Sequence, residues 1–375
     1  MEVFDVVSVD EGGQCYAVIA ARSNARWWLI PLGNSRAAAA GLEMLQPISL
    51  PAKIAKIMAL IITKFGSQCL LGKGILRLSG LPNLGETFSG RMAYMSFFTG
   101  TDGPHRKTTM QFMDSGGVIL GYCKMSRKSH IRPYLRNEAD MLAHVAAIGL
   151  RSANIPSVLA YRDDAAITLL VTDSLKSNNY IVPRILGTDH IAFLVELKMH
   201  TEYVGSGRLL DNLAAQRQDI EGRFSAQVGP KWLARLVRVE KKLRPYVDKI
   251  PLCLCHGDFT PWNTFIQGNR LYVFDWEYAR VDWPVGFDFI HFSLATIPLA
   301  QQERELPGLL KKLVSTQLLS DEKAAQIAML LSLYCHALFY ICRLMVSQRS
   351  IIQWHEGPTR AALIDKLLKL EGLDT

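Results

Sequence analysis

The stretch Cys255–Asn263, CHGDFTPWN, followed from Leu271 by LYVFDWEYA, constrains this chain more than any other segment. Asp258, Asn263 and Asp275 each stand beside a short apolar run. PLCLC, TFIQ and LYVF read as strands, and Gly268-Asn269 supplies a hairpin turn between the last two. A hairpin returns the chain, so the loop holding Asp258 and Asn263 is expected to face the same cleft as Asp275. Oxygen donors in this arrangement suit phosphoryl transfer from a nucleotide to a hydroxyl, which needs a base near the hydroxyl and metal ions bridging the phosphates. Asp258 is the candidate to accept the hydroxyl proton. Asn263 offers an amide oxygen to a metal without adding charge, and Asp275 supplies an anionic ligand.

The rest of the 375 residues must provide lobes around such a cleft. Hydrophobic residues make up 49% and charged residues 20%, which fits folded domains and argues against extended disorder. The net charge of +8 favours an anionic ligand. The basic residues are scattered, with short groupings such as KMSRKSHIRPYLR and no aromatic interleaving, so no nucleic-acid partner is expected. Seven cysteines without a disulfide framework indicate free thiols in a reducing compartment, and hence a cytoplasmic location. Cys253, Cys255 and His256 hint at a metal site, but PLCLC alternates like a buried strand and no second Cys/His pair completes a zinc shell. The N-terminus carries acids where a signal peptide carries bases. Ile327 to Val346 approaches the length of a membrane span, but His336 and Arg343 interrupt it. It reads as a buried helix, and no integral membrane span is expected.

Three segments emerge from the texture of the chain. Residues 1–88 form an N-terminal extension of unassigned role, with strands in QCYAVIAA and RWWLIPLG and an apolar helix in LPAKIAKIMALIITKF. Trp27 and Trp28 suit strand packing better than ligand stacking. Residues 89–172 read as a small antiparallel sheet with one helix around NEADML. Residues 173–375 are mostly helical outside the motif region.

HGDFTPWN followed by FDWEYA resembles the catalytic and metal-binding segments of the aminoglycoside phosphotransferase and choline kinase family. The resemblance covers roughly residues 89–375 and implies an α+β, bilobal protein-kinase-like fold. The first lobe would be a small antiparallel sheet and the second helix-rich, with the N-terminal extension as an additional α/β element. It implies that Asp258 is the catalytic base, that Asn263 and Asp275 bind Mg2+, that His256 braces the catalytic loop, and that Asp288 in VGFDFIHF supports that loop from a helix start. A kinase-like first lobe also needs a glycine loop, a strand lysine and a helix glutamate. Gly100 and Gly103 in TGTDGPHRK, Lys124 in GYCKMS and Glu138 occur in that order. The glycine loop lacks the protein-kinase spacing, so Lys107 shares candidacy with Lys124 for the phosphates. Adenine is expected against Val171, Thr172 and Ser174.

The expected activity is that of an ATP-dependent kinase acting on a small-molecule hydroxyl acceptor. The acceptor is a sugar or glycoconjugate, or an amino alcohol held by Trp276, Tyr278 and Trp283. Those aromatics serve equally well as core. Trp262, before the metal-binding Asn263, adds bulk that shapes the acceptor site. The alternative is a nucleotide-binding pseudokinase or regulator without turnover, against which the complete Asp258, Asn263 and Asp275 set speaks.

Overall fold

The computed structural model describes residues 13–370 except 21–25, 48, 73, 80–83, 85, 101–104, 165, 178 and 206. The chain divides into two compact units, Met1–Ala147 with Ile155–Tyr180, and Ile148–Asn154 with Ile181–Thr375.

The first unit is built on strands β1 (Gln14–Ala20), β2 (Trp27–Pro31), β3 (Ile75–Leu78), β4 (Tyr94–Phe98), β5 (Thr108–Met113) and β6 (Ile119–Ser126). After the two-residue β7 (Ala153–Asn154), which belongs to the second unit, β8 (Val158–Asp163) and β9 (Thr168–Asp173) complete it. They form one antiparallel sheet in the order β3-β1-β2-β4-β5-β6-β9-β8. The strands before residue 89 thus extend the same sheet, through pairing of Trp28 with Phe98 and Leu29 with Phe97. Trp28 stacks on Phe98 at a centroid distance of 5.0 Å, so it serves this junction as packing.

Period-two patterning decides what each face carries. Tyr16, Leu29, Phe97, Met110, Phe112, Cys123, Met125, Leu169 and Val171 share one buried cluster. Each such side chain, when fully buried, contributes roughly 1.5–3 kcal/mol. The alternate residues Tyr122 and Lys124 of β6 point away from it. Helices α1 (Ser35–Gly41) and α2 (Leu50–Lys64) cover Ala17 and Ile30. The outward stripe of α2, Leu50, Ile54, Ile57, Met58 and Ile61, is exposed, as is Phe65 just after it. Strands β3 and β8 are not apparent in the sequence pattern, because neither alternates cleanly between apolar and polar residues.

In the second unit, α4 (Thr188–Thr201), α5 (Arg208–Val228) and α6 (Pro230–Leu243) precede the motif region, after α3 (Arg132–Ile148) of the first. Strands β10 (Tyr203–Val204), β11 (Pro251–Cys255), β12 (Thr264–Gln267), β13 (Arg270–Val273) and β14 (Arg280–Pro284) form two three-stranded sheets, β10-β11-β14 and β12-β13-β7. Helices α7 (Phe287–Thr296), α8 (Leu299–Ser315), α9 (Glu322–Val346) and α10 (Gly357–Leu367) complete the unit. Every residue of α9 from Ala325 to Leu338 is buried, so the apolar stretch of near-membrane length is a core helix of this unit. Arg217 on α5 bonds Glu240 on α6, and Glu240 also accepts from Tyr334 on α9, so the buried guanidinium is paired where these helices meet.

Candidate active site

In the first unit, β6 and α3 bring Lys124 and Glu138 together. Lys124 Nζ lies 2.5 and 2.6 Å from the two carboxylate oxygens, and the glutamate side chain is only 3% exposed. An ammonium held this way keeps its charge in one place, as a phosphate-binding lysine requires. Gly100 has φ +77°, and a Cβ there would stand 2.3 Å from the Lys107 carbonyl oxygen, so this turn depends on glycine. Arg106 clamps the same turn, with Nε donating to Thr99 O at 2.8 Å and Nη2 to Thr99 Oγ1 at 3.0 Å. Gly103 lies outside the described residues. The Val171 side chain enters the sheet core, and Val171 and Thr172 are flanked on both sides by β6 and β8. Ser174 is the first of the expected adenine-contact residues beyond the strand.

In the second unit, β11 ends at Cys255 and the chain turns through His256 and Gly257 into Asp258. Gly257 has φ +83°, and a Cβ there would meet the Tyr278 carbonyl oxygen at 2.2 Å. Only glycine fits this turn. The turn is held from α7: the buried Asp288 carboxylate accepts the backbone N–H of His256 at 2.7 Å and of Gly257 at 3.0 Å. Burial pushes the Asp288 carboxyl above the ordinary carboxylate value, and the backbone N–H groups of His256 and Gly257 pull against it. His256 Nδ1 accepts from the Asp258 N–H at 3.2 Å, which leaves Nε2 to donate to Phe274 O at 2.9 Å. The imidazole therefore ties the catalytic loop to the end of the hairpin.

Both carboxylate oxygens of Asp258 are held, from different elements. Asn263 Nδ2 donates to Oδ2 at 2.9 Å and to the Asp258 carbonyl at 2.8 Å. His291 Nε2 stands 3.0 Å from Oδ1. With its amino group committed to Asp258, Asn263 keeps its amide oxygen as the end that can meet a cation. The hairpin fixes the place of Asp275, because the Phe274 N–H donates to Asn263 O at 3.1 Å and so sets the next residue beside the loop. Asp275 takes a left-handed backbone, φ +72°, which aspartate tolerates better than most residues. One carboxylate oxygen of Asp275 and one of Glu277 lie within 4.8 Å of each other. An amide oxygen and two carboxylates form an all-oxygen donor set that fits Mg2+.

His291 and Glu277 escape sequence reasoning. The available signal for His291 is its spacing of three from Asp288, which places both on one face of α7. For Glu277 it is the alternation of Asp275 and Glu277 around the fully buried Trp276.

Beside Asp258 opens a cavity of about 380 Å³ that belongs wholly to the second unit. Trp262, His291, Gln302, His336, Tyr340 and Arg360 are among its lining. Tyr340 stacks on Trp354 with ring planes 6° apart. Trp262 lies on the cavity wall. Trp276 and Trp283 do not line this cavity: Trp276 packs on His256 and Phe193, and Trp283 on Phe287. Tyr278 packs edge-on against Phe339. Trp276 and Trp283 are buried, Tyr278 is half-buried, and none of the three lines this cavity. Cys253 and Cys255 are buried, with Sγ atoms 3.6 Å apart.

The model of a family described as the phosphotransferase enzyme family matches residues 122–316. No curated protein matches the sequence significantly. Among solved structures, a putative fructosamine-3-kinase from Thermobifida fusca is 14% identical with a TM-score of 0.53, covering 78% of this chain and 99% of that one. A thermostable mutant of an aminoglycoside phosphotransferase, in ternary complex with ADP and hygromycin B, is 11% identical with a TM-score of 0.50, covering 76% and 96%. At these identities the likeness is one of fold, and that fold is the protein-kinase-like one.

Proposed function

The chain belongs to the phosphotransferase enzyme family, and on that premise we propose that it transfers the γ-phosphate of ATP to a hydroxyl of a small molecule bound beside Asp258. The observation that carries this reading is the Asp258 carboxylate, held on one oxygen by Asn263 and on the other by His291 at the wall of a cavity of small-molecule size.

Asp258 orients the acceptor hydroxyl and takes its proton. As the acceptor oxygen bonds to the γ-phosphorus, the bond from that phosphorus to the bridging oxygen breaks, ADP leaves, and the proton passes from Asp258 to solvent. Asn263 and Asp275 would hold Mg2+, which when bound neutralises charge on the phosphates. Lys124, paired with Glu138, would hold the nucleotide phosphates within the first unit, with Gly100 and Lys107 beside them and Val171, Thr172 and Ser174 toward the adenine. His256 and Asp288 position the catalytic loop and His291 positions Asp258; none of the three reacts. This transfer asks mainly for alignment and charge neutralisation, which a doubly held carboxylate serves.

The test is a phosphorylation screen of a metabolite pool with Mg2+ and ATP, comparing the intact protein with Asp258→Asn. A phosphorylated product formed only by the intact protein is expected. Equal product from both proteins would remove Asp258 from the chemistry.

A further inference from the structure

The floor of the cavity carries an unbalanced positive group. Arg360, in the first turn of α10, is 4% exposed and lines the cavity. One of its N–H groups goes to Gln302 Oε1, and Gln302 is itself held by donating to Leu294 O and Ile297 O, each at 2.8 Å. Arg360 Nε has no partner, and among the described residues no carboxylate lies within ion-pair distance of this guanidinium. His336 on α9 lines the same cavity at 9% exposure, and neither of its ring nitrogens has a partner. Burial lowers the Arg360 pKa from the ordinary guanidinium value and drives that of His336 well down, so His336 is a neutral imidazole with one N–H to donate.

A buried guanidinium with no carboxylate at ion-pair distance, steadied by the charge of Glu356 alone from further off, is costly, and so is a buried imidazole with both nitrogens idle. An anion between them would satisfy both. The first turns of α8 and α10 also meet the cavity, through Leu299 and Gln302 and through Arg360, and helix N-termini favour negative charge. Against this stand two acids of the lining. Asp258 is engaged by Asn263 and His291, and Glu356 precedes α10 without an ion pair to Arg360.

We propose that the acceptor is an anionic alcohol, a hydroxylated molecule that already carries a carboxylate or a phosphate, whose charge rests on Arg360 and His336 while its hydroxyl is presented to Asp258. This rests on the phosphotransferase reading above and names its substrate class. Choline-like and polyamine acceptors, which carry the opposite charge, are selected against at this floor. The product carries its new phosphate in addition to the original anion.

The experiment is calorimetric titration of the full chain with glycerate, glycerol 3-phosphate, glycerol and choline, using intact protein, Arg360→Gln, Arg360→Lys and Glu356→Gln. At least one of the two anions is expected to bind about tenfold or more tightly than glycerol or choline, as a charge-assisted hydrogen bond to a buried guanidinium warrants. The stronger of the two identifies carboxylate or phosphate as the group recognised. Arg360→Gln should abolish the preference, Arg360→Lys should keep part of it, and Glu356→Gln should strengthen it. Glycerol or choline binding as well as the anions, or a preference that survives in folded Arg360→Gln, would overturn the proposal. Should Arg360→Gln not fold, an anion affinity that Glu356→Gln fails to raise would do the same. Phosphoryl transfer measured in parallel separates the two readings. Transfer to glycerol or choline, indifferent to Arg360, removes the anion site alone. Anion binding through Arg360, with no transfer to any acceptor and none from the metabolite pool, removes the phosphotransferase reading alone.

Discussion

Replacing Asp288 by asparagine tests the way the catalytic loop is held. In the native protein each carboxylate oxygen receives one buried backbone N–H, from His256 at 2.7 Å and from Gly257 at 3.0 Å. Asparagine can accept only one of them, and its amino group must face the other donor. The orphaned N–H costs about 1–3 kcal/mol, and exchange of a charged for a neutral acceptor weakens the surviving bond by roughly 1 kcal/mol. Part of this returns, because a neutral amide is easier to bury than a carboxylate whose pKa is already raised by burial. The net expectation is a loss of about 2–3 kcal/mol, concentrated in the turn. Hydrogen exchange at the His256 and Gly257 amides reads it directly, with protection expected to fall by roughly 30- to 150-fold. Urea unfolding monitored by fluorescence should shift in the same direction, since the buried Trp276 ring lies 4.8 Å from His256. Unchanged protection at both amides would refute the claim that Asp288 holds the loop.

The same geometry leads to three further outcomes. Gly257→Ala sets a methyl group 2.2 Å from the Tyr278 carbonyl oxygen at a left-handed backbone, and should lower the urea stability of the second unit by more than about 2 kcal/mol. An unshifted midpoint would show that the turn can move. Glu138→Gln leaves the Lys124 ammonium without its carboxylate and should destabilise the first unit by about 3 kcal/mol while weakening ATP binding; calorimetry and thermal melting check both. His190, packed against Phe259 and Phe292 with Nδ1 accepting from the Gly187 N–H, has its pKa lowered by burial to about 4. The unfolded chain therefore takes up the proton first as pH falls. The stability this neutral imidazole provides is fully present above about pH 6.5 and is lost toward pH 4, amounting to about 3 kcal/mol. His190→Gln should flatten that acid limb in urea titrations at stepped pH, and an unaltered limb would count against the assignment.

The loop around Asp258 is the most legible part of this protein, because its geometry is local. Asp258, Asn263 and Asp275 are joined by a hairpin of four-residue strands, and a turn so short leaves little freedom in where the acids and the amide can go. Alternation along β6 likewise makes that strand readable, since the face toward the core must be apolar at every second residue, whereas β4, β5 and β9 are buried in continuous runs. Lys124 and Glu138 are findable as an ordered pair of residue types, and the family resemblance implies their pairing, but no local pattern shows that contact. It needed the register of β6 and the docking of α3, both set by packing across the sheet.

Sequence by itself determined the loop and hairpin that set Asp258 beside Asn263, and the strand-then-helix succession of the chain, because spacing over a few residues fixes backbone direction. Tertiary structure alone decided that the strands before residue 89 extend the sheet, that His291 reaches Asp258, and that Arg360 and His336, from two different helices, meet on the wall of one cavity. Those outcomes depend on how helices and strands far apart in the chain pack to bury their apolar faces, and a local pattern contains no record of its distant partner.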